Sequence, residues 1–199
     1  NIARGPNKGG DATQTTALNQ PKALPVVDGK GYLYLSGVSG NHASVADPIG
    51  ALDDFTMQVD GLDAGAVRPA ADSTLMAQYE AGKPTFILQM GSSGSIAFAL
   101  YDGTNESHTS ATVPTDTVGI RVTRVGTLIT YWVDTGSGYV SHDTDTSVGT
   151  VLNNWDNALE IGSYNSGASQ LLTGKISRAV IWDNGTQAGD PVLDVDFTA

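Results

Sequence analysis

Carboxylates are the most abundant reactive groups in this chain, and their spacing limits what they can do. Aspartate outnumbers glutamate 18 to 3. Retaining glycoside hydrolysis needs two carboxyls about 5–5.5 Å apart, one as acid and one as nucleophile. Glu80, Glu106 and Glu160 lie far apart, and none has an acidic partner two or four residues on. Nucleophilic catalysis is no better supplied. There is no cysteine and no Gly-x-Ser-x-Gly elbow. His42, His108 and His142 each sit in a turn or a polar strand, where surface histidines are expected. These patterns predict a protein that is not an enzyme.

Two other chemistries have candidate residues. Asp143-Thr144-Asp145-Thr146-Ser147 alternates oxygen donors as a calcium loop would. It lacks the glycine at position six and the acid at position twelve of an EF-hand loop. Asp143 and Asp145 are therefore either ligands of a structural calcium or solvated turn aspartates. Asp53 and Asp54, Asp60 and Asp63, and Asp194 with Asp196 are further pairs of the same kind. No other cofactor is suggested, since neither zinc spacing nor a phosphate-cradling glycine motif occurs. Sugar binding needs an aromatic face beside hydroxyl-bonding polar groups. Asn154, Trp155 and Asp156 supply both in one polar loop. Trp155 is there either a core plug or a stacking platform. Tyr139 and Tyr164, in Gly/Ser/Asn-rich turns, are similar candidates. Trp132 and Trp182 fall within strands and are expected in the core. The sequons at Asn105 and Asn184 read as chance matches in a Ser/Thr-rich chain.

Composition narrows the class of protein further. A chain of 199 residues suffices for one sizeable core. Asp and Gly favour turns, glutamate favours helix interiors, and 24 glycines with so few glutamates point to many short strands. A net charge of −11 argues against nucleic acid as a partner, because phosphate binding requires clustered Lys and Arg. No apolar run is long enough to span a bilayer, and Asn1–Pro6 lacks the apolar core of a signal peptide. The absence of cysteine suits assembly in a reducing bacterial cytoplasm.

Residues 1–30 differ from the rest. They are polar, carry Pro6, Pro21 and Pro25, and hold Arg4, Lys8, Lys22 and Lys30 against Asp11 and Asp28. The segment is thus net +2 and the remainder −13. It reads as an extended arm that is either a solvated tether or a cationic strap on an acidic neighbouring subunit, which implies a homo-oligomer.

From Gly31 to Ala199 strand and turn signals recur at short spacing. Asp54–Leu62 places Phe55, Met57 and Val59 on one face and Thr56, Gln58 and Asp60 on the other, as a half-buried strand would. Thr117–Val125 and Leu128–Asp134 flank Gly126-Thr127, a hairpin signal. Residues 143–156 read as loop, and Gln170–Trp182 as one long strand. A single helical turn fits near Asp47–Leu52. Eleven to thirteen strands with period-2 patterning predict an all-β, two-sheet antiparallel jelly-roll sandwich with sheets about 10 Å apart.

The run Tyr32-Leu33-Tyr34-Leu35-Ser36-Gly37, continuing to Ser44, resembles the opening of laminin G-like, concanavalin A-like jelly rolls of bacteriophage virion proteins. Asp53-Asp54-Phe55-Thr56-Met57-Gln58-Val59 is similar to their next strand, and Leu159–Gly162, Gly174–Ile176 and Val195–Ala199 to their C-terminal end. The resemblance covers residues 31–199. It implies a virion surface protein, such as a capsid decoration, head fibre or tail-surface component, docked on other virion proteins through the arm. The alternative is a carbohydrate-binding adhesin for host or environmental polysaccharide. Ser177 and Arg178 stand where this group often has an acid, and His42 where an aromatic is usual.

Overall fold

The computed structural model describes residues 22–27, 30–46, 53–80, 83–101, 105–147 and 157–198. Fifteen strands and one short helix occur among them. In chain order they are β1 (Lys22–Val27), β2 (Lys30–Ser36), β3 (Ala43–Val45), β4 (Phe55–Asp60), α1 (Ala64–Val67), β5 (Ser73–Glu80), β6 (Lys83–Met90) and β7 (Ser95–Tyr101). There follow β8 (Asn105–Thr112), β9 (Gly119–Val125), β10 (Leu128–Asp134), β11 (Tyr139–Thr146), β12 (Leu159–Ile161), β13 (Thr173–Ile176), β14 (Arg178–Trp182) and β15 (Leu193–Asp196).

Two six-stranded antiparallel sheets form the sandwich. One runs β11-β10-β9-β4-β14-β15 and will be called the β4 sheet; the other runs β3-β12-β5-β6-β7-β8 and is the β5 sheet. A small third sheet, β1-β2-β13, adjoins them. Alternation decides what each sheet sends inward. Phe55, Met57 and Val59 of β4 meet Leu88, Ile96 and Phe98 of the β5 sheet in one core. The Phe55 and Phe98 rings pack at 5.6 Å between centroids. The jelly-roll sandwich expected from the pattern is the observed fold. The β9–β10 hairpin is also as expected, with Val125 opposite Leu128 and Gly126 at φ +58, a conformation glycine enters without cost.

Several expectations need correction. Gln170–Trp182 is two strands, because the chain changes sheets at Ser177. Upstream, β13 pairs with β2; downstream, β14 pairs with β4. The Ser177 amide donates to the Asp60 carbonyl and its own carbonyl accepts from Phe197, so the crossing point is tied to both neighbours. Residues 143–146 belong to β11, where pairing with β10 outweighs their turn-forming composition. The Thr56–Gln58 face of β4 is not solvated: Thr56 and Gln58 are both buried. The segment after β14 crosses that face, with the Asn184 carbonyl accepting from Thr56 Oγ1. Trp132 and Trp182 lie half-buried on the outer face of the β4 sheet, since their neighbours Tyr131, Val133 and Ile181 take the inward positions. Lys22 and Lys30, read with the arm, stand in the paired strands β1 and β2. Arg4 and Lys8 lie outside the described residues, as does the helical turn expected near Asp47–Leu52. The helix among the described residues, α1, is capped by Asp63, whose Oδ1 accepts from the Ala66 amide at 3.0 Å.

Candidate functional site

The two sheets differ in what covers their outer faces. On the β4 sheet, Arg121 donates to Gln58 Oε1 at 2.9 Å and stacks 3.8 Å above the Tyr139 ring. The Tyr139 hydroxyl donates to Asp60 Oδ1 at 2.5 Å. Burial, and then the Asp60 charge, push the Tyr139 phenol far above its ordinary range. With its ring capped and its hydroxyl bonded, Tyr139 offers no free platform. Asn184 organises the loop above: its Oδ1 accepts from Thr186 and Ala188 amides, and its Nδ2 donates to the Ala188 carbonyl. The side chain of this sequon therefore serves an Asx turn.

The outer face of the β5 sheet is built differently. Register places Glu160, Ala77, Ile87, Ala99 and Ser107 in one row across five strands. Their neighbours Met76, Leu88 and Phe98 point into the core, so this row points away from it. Of this row Glu160, Ala77 and Ile87 are buried and Ser107 is exposed; Ala99 and the nearby Ala97 are half-buried, and their small side chains keep that part of the floor low. At one end of this face three tyrosines gather. Tyr79 meets Tyr101 at 5.9 Å and Tyr164 at 4.9 Å, both edge to face. Each is half-buried. Partial burial raises the Tyr101 phenol above its ordinary value, and Tyr79 and Tyr164 add to the shift. Half-buried aromatic rings gathered at the end of a face with small side chains are suited to the C–H face of a sugar.

Tyr164 was legible as a candidate; Tyr79 and Tyr101 were not. They end two apparently ordinary strands, and only the folded sheet brings them beside Tyr164. Trp155, Asn154 and Asp156 lie outside the described residues. Asn157, which follows them, is buried, and its carbonyl accepts from Gln78 Nε2 at 3.1 Å, next to Tyr79.

The aspartates weighed as calcium ligands already have partners. Asp143 Oδ2 accepts from the Ala111 amide at 2.6 Å, and Asp145 Oδ2 faces His108 Nδ1 at 2.9 Å. Both contacts join β11, the edge of one sheet, to β8, the edge of the other. The surface position expected for His108 is corrected: it is buried, and its Nε2 lies 3.2 Å from Glu106. The inward face of β8 is polar where β11 closes over it, which composition alone could not show. Asp54 accepts from Gly126, Asp53 meets Arg124, Asp194 pairs with Arg178, and Asp196 accepts from Thr198. No group of three or more metal-ligating side chains occurs among the described residues.

Solved structures share this fold. The enzymatically active domain of tailspike protein 2 from bacteriophage CBA120 superposes with a TM-score of 0.64 at 12% identity, over 96% of this chain and 34% of the tailspike domain. The heptameric SAP-like pentraxin of Limulus polyphemus gives 0.58 at 13% identity, over 81% of this chain and 80% of the pentraxin. The CBM40 of Ruminococcus gnavus IT-sialidase, solved with α2,3-sialyllactose bound, gives 0.52 at 11% identity, over 69% and 79% of the two chains. These superpositions show a shared β-sandwich fold. No family model matches the sequence, and no curated protein matches it.

Proposed function

We propose that this chain is a glycan-binding β-sandwich displayed on a bacteriophage particle, with Tyr79, Tyr101 and Tyr164 forming the sugar platform. The observation that carries the reading is the convergence of these three rings on the outer face of the β5 sheet, with Tyr79 4.9 Å from Tyr164 and 5.9 Å from Tyr101. The reading is supported by the α2,3-sialyllactose bound in the CBM40 structure and by the length of chain matched in the tailspike. The phage assignment also draws on the resemblance of residues 31–199 to virion jelly rolls. In this reading the protein binds without catalysis. Glu160 on this face already spends its oxygens on three hydrogen bonds, whereas hydrolysis needs a free pair of carboxyls. Docking to other virion proteins falls to the segment before β1, which holds Arg4 and Lys8.

The test is a glycan array of oligosaccharides ending in glucose, galactose, mannose, N-acetylhexosamine and sialic acid. Wild-type protein binds one class, and the Tyr79→Ala/Tyr101→Ala double variant loses it while remaining folded by circular dichroism. Wild-type protein that binds no sugar would remove the glycan reading. Deleting residues 1–21 should leave a folded sandwich that no longer joins the particle; a deletion that still assembles would remove the docking role.

A further inference from the structure

We propose that Glu160 is the positioning residue of the tyrosine platform: its buried carboxylate holds the turn at 163–167 in the conformation that docks Tyr164 on Tyr79. The inference rests on the platform reading for its functional consequence, but its geometry stands apart from it.

Glu160 is the middle residue of β12, the short strand between β3 and β5. Leu159 and Ile161 on either side enter the core, so Glu160 faces outward, yet it is only 4% exposed. A carboxylate removed from water needs donors for its lone pairs. It finds them in the chain immediately following. Oε1 accepts from the Ser166 amide at 2.6 Å, and Oε2 accepts from the Gly167 amide at 2.9 Å and Ser163 Oγ at 2.7 Å. Short charge-assisted bonds of this kind are the stronger class of protein hydrogen bond.

The backbone these bonds hold is one the chain would otherwise leave. Asn165, Ser166 and Gly167 have φ of +59, +59 and +74 in succession. Non-glycine residues enter that region at a cost and as isolated residues, so two beside a glycine persist only where the surroundings impose them. The turn's far side is fastened as well: the Gly167 carbonyl accepts from the Gly40 amide at 2.8 Å, and the Asn165 amide donates to the Tyr79 carbonyl at 3.3 Å. Tyr164 is thus carried against Tyr79 by a turn whose amides converge on one carboxylate. A glutamine at 160 keeps the shape but cannot keep the bonding. Either orientation of its amide turns an NH2 toward a backbone N–H that needs an acceptor.

The consequence for binding follows from populations. If the docked turn falls to a tenth of the molecules, apparent sugar affinity falls about tenfold although no sugar-contacting atom has changed. The experiment compares wild type, Glu160→Gln and the milder Ser163→Ala, which removes one of the three donors. Native-state amide exchange at Ser166 and Gly167 reports the turn directly, and exchange at Leu88 and Phe98 reports the sandwich. Affinity is read on the same oligosaccharide array. Glu160→Gln should speed exchange at Ser166 and Gly167 at least tenfold with Leu88 and Phe98 unchanged, and should weaken array binding by about the same factor. Ser163→Ala should fall between. Unchanged exchange at Ser166 and Gly167 would overturn the proposal, and so would faster exchange with wild-type sugar affinity, which would make Glu160 structural only. Should wild type bind no sugar, the platform reading fails. The exchange data and a Tyr79–Tyr164 ring cross-peak, kept or lost in Glu160→Gln, then decide whether Glu160 positions Tyr164.

Discussion

The Tyr164 ring meets the Tyr79 ring edge to face, with centroids 4.9 Å apart and planes at 77°. One ring belongs to a turn and the other to the end of β5, so the contact fastens a loop to a rigid sheet. An aromatic pair of this geometry is worth about 1 kcal/mol beyond its buried area. Tyr164→Ala should therefore lower unfolding free energy by about 1–2 kcal/mol, measured by urea denaturation, while reducing sugar binding far more than that loss of stability implies. Equal glycan binding by the variant would remove Tyr164 from the platform.

Tyr139, on the opposite sheet, should behave in the converse way. Its hydroxyl donates to Asp60 inside the Arg121–Tyr139 stack. Tyr139→Phe leaves the ring and its stacking but deprives Asp60 of a donor, which should cost about 1.5 kcal/mol. Array binding should be unchanged, because the residue faces away from the platform.

Acid should loosen the seam between the sheets. The Asp143 carboxyl is held below its ordinary range by the Ala111 amide first and the Thr144 amide next. The Asp145 carboxyl is held down by the Thr146 amide and then by His108. A carboxylate whose pKa is lower folded than unfolded stabilises the fold above its unfolded value, about 3.9, and loses that contribution as pH falls through the folded value. Melting temperature should thus drop on acidification below about pH 4, and Asp143→Asn with Asp145→Asn should flatten that limb. Since these oxygens already accept hydrogen bonds, EDTA at neutral pH should leave the melting temperature where it is. A rise in melting temperature on adding calcium would contradict this.

Gly61 should prove intolerant of substitution. Its φ is +71, and a Cβ there would lie 2.4 Å from Ser177 Cβ and 2.9 Å from the Ser177 amide nitrogen. Ser177 is where the chain changes sheets, and its amide is bonded to Asp60, so it has little room to retreat. Gly61→Ala should cost about 2 kcal/mol or more, read as a lower denaturation midpoint with an unchanged slope.

Much of the strand layout was legible because period-2 alternation reports local geometry. Phe55, Met57 and Val59 mark the inward face of β4 whatever lies opposite. Gly126-Thr127 marks a tight hairpin because a two-residue turn needs a residue that accepts positive φ. The same pattern misled at Thr56 and Gln58, where alternation distinguishes two faces but not whether a later loop will cover the polar one. It misled again at His108, whose strand is polar inward because Asp145 and Ser147 arrive from the other sheet to meet it.

By itself, then, the sequence determined the all-β class, the two-sheet sandwich and most strand positions, since these follow from short-range propensity and alternation. Tertiary structure alone decided that Tyr79, Tyr101 and Tyr164 share one end of one face, that Glu160 is spent on holding the third of them, and that Tyr139 belongs to the other side. Those outcomes depend on which distant strands become neighbours. That choice is made by packing two sheets around one core, and residue spacing along the chain does not encode it in any local pattern.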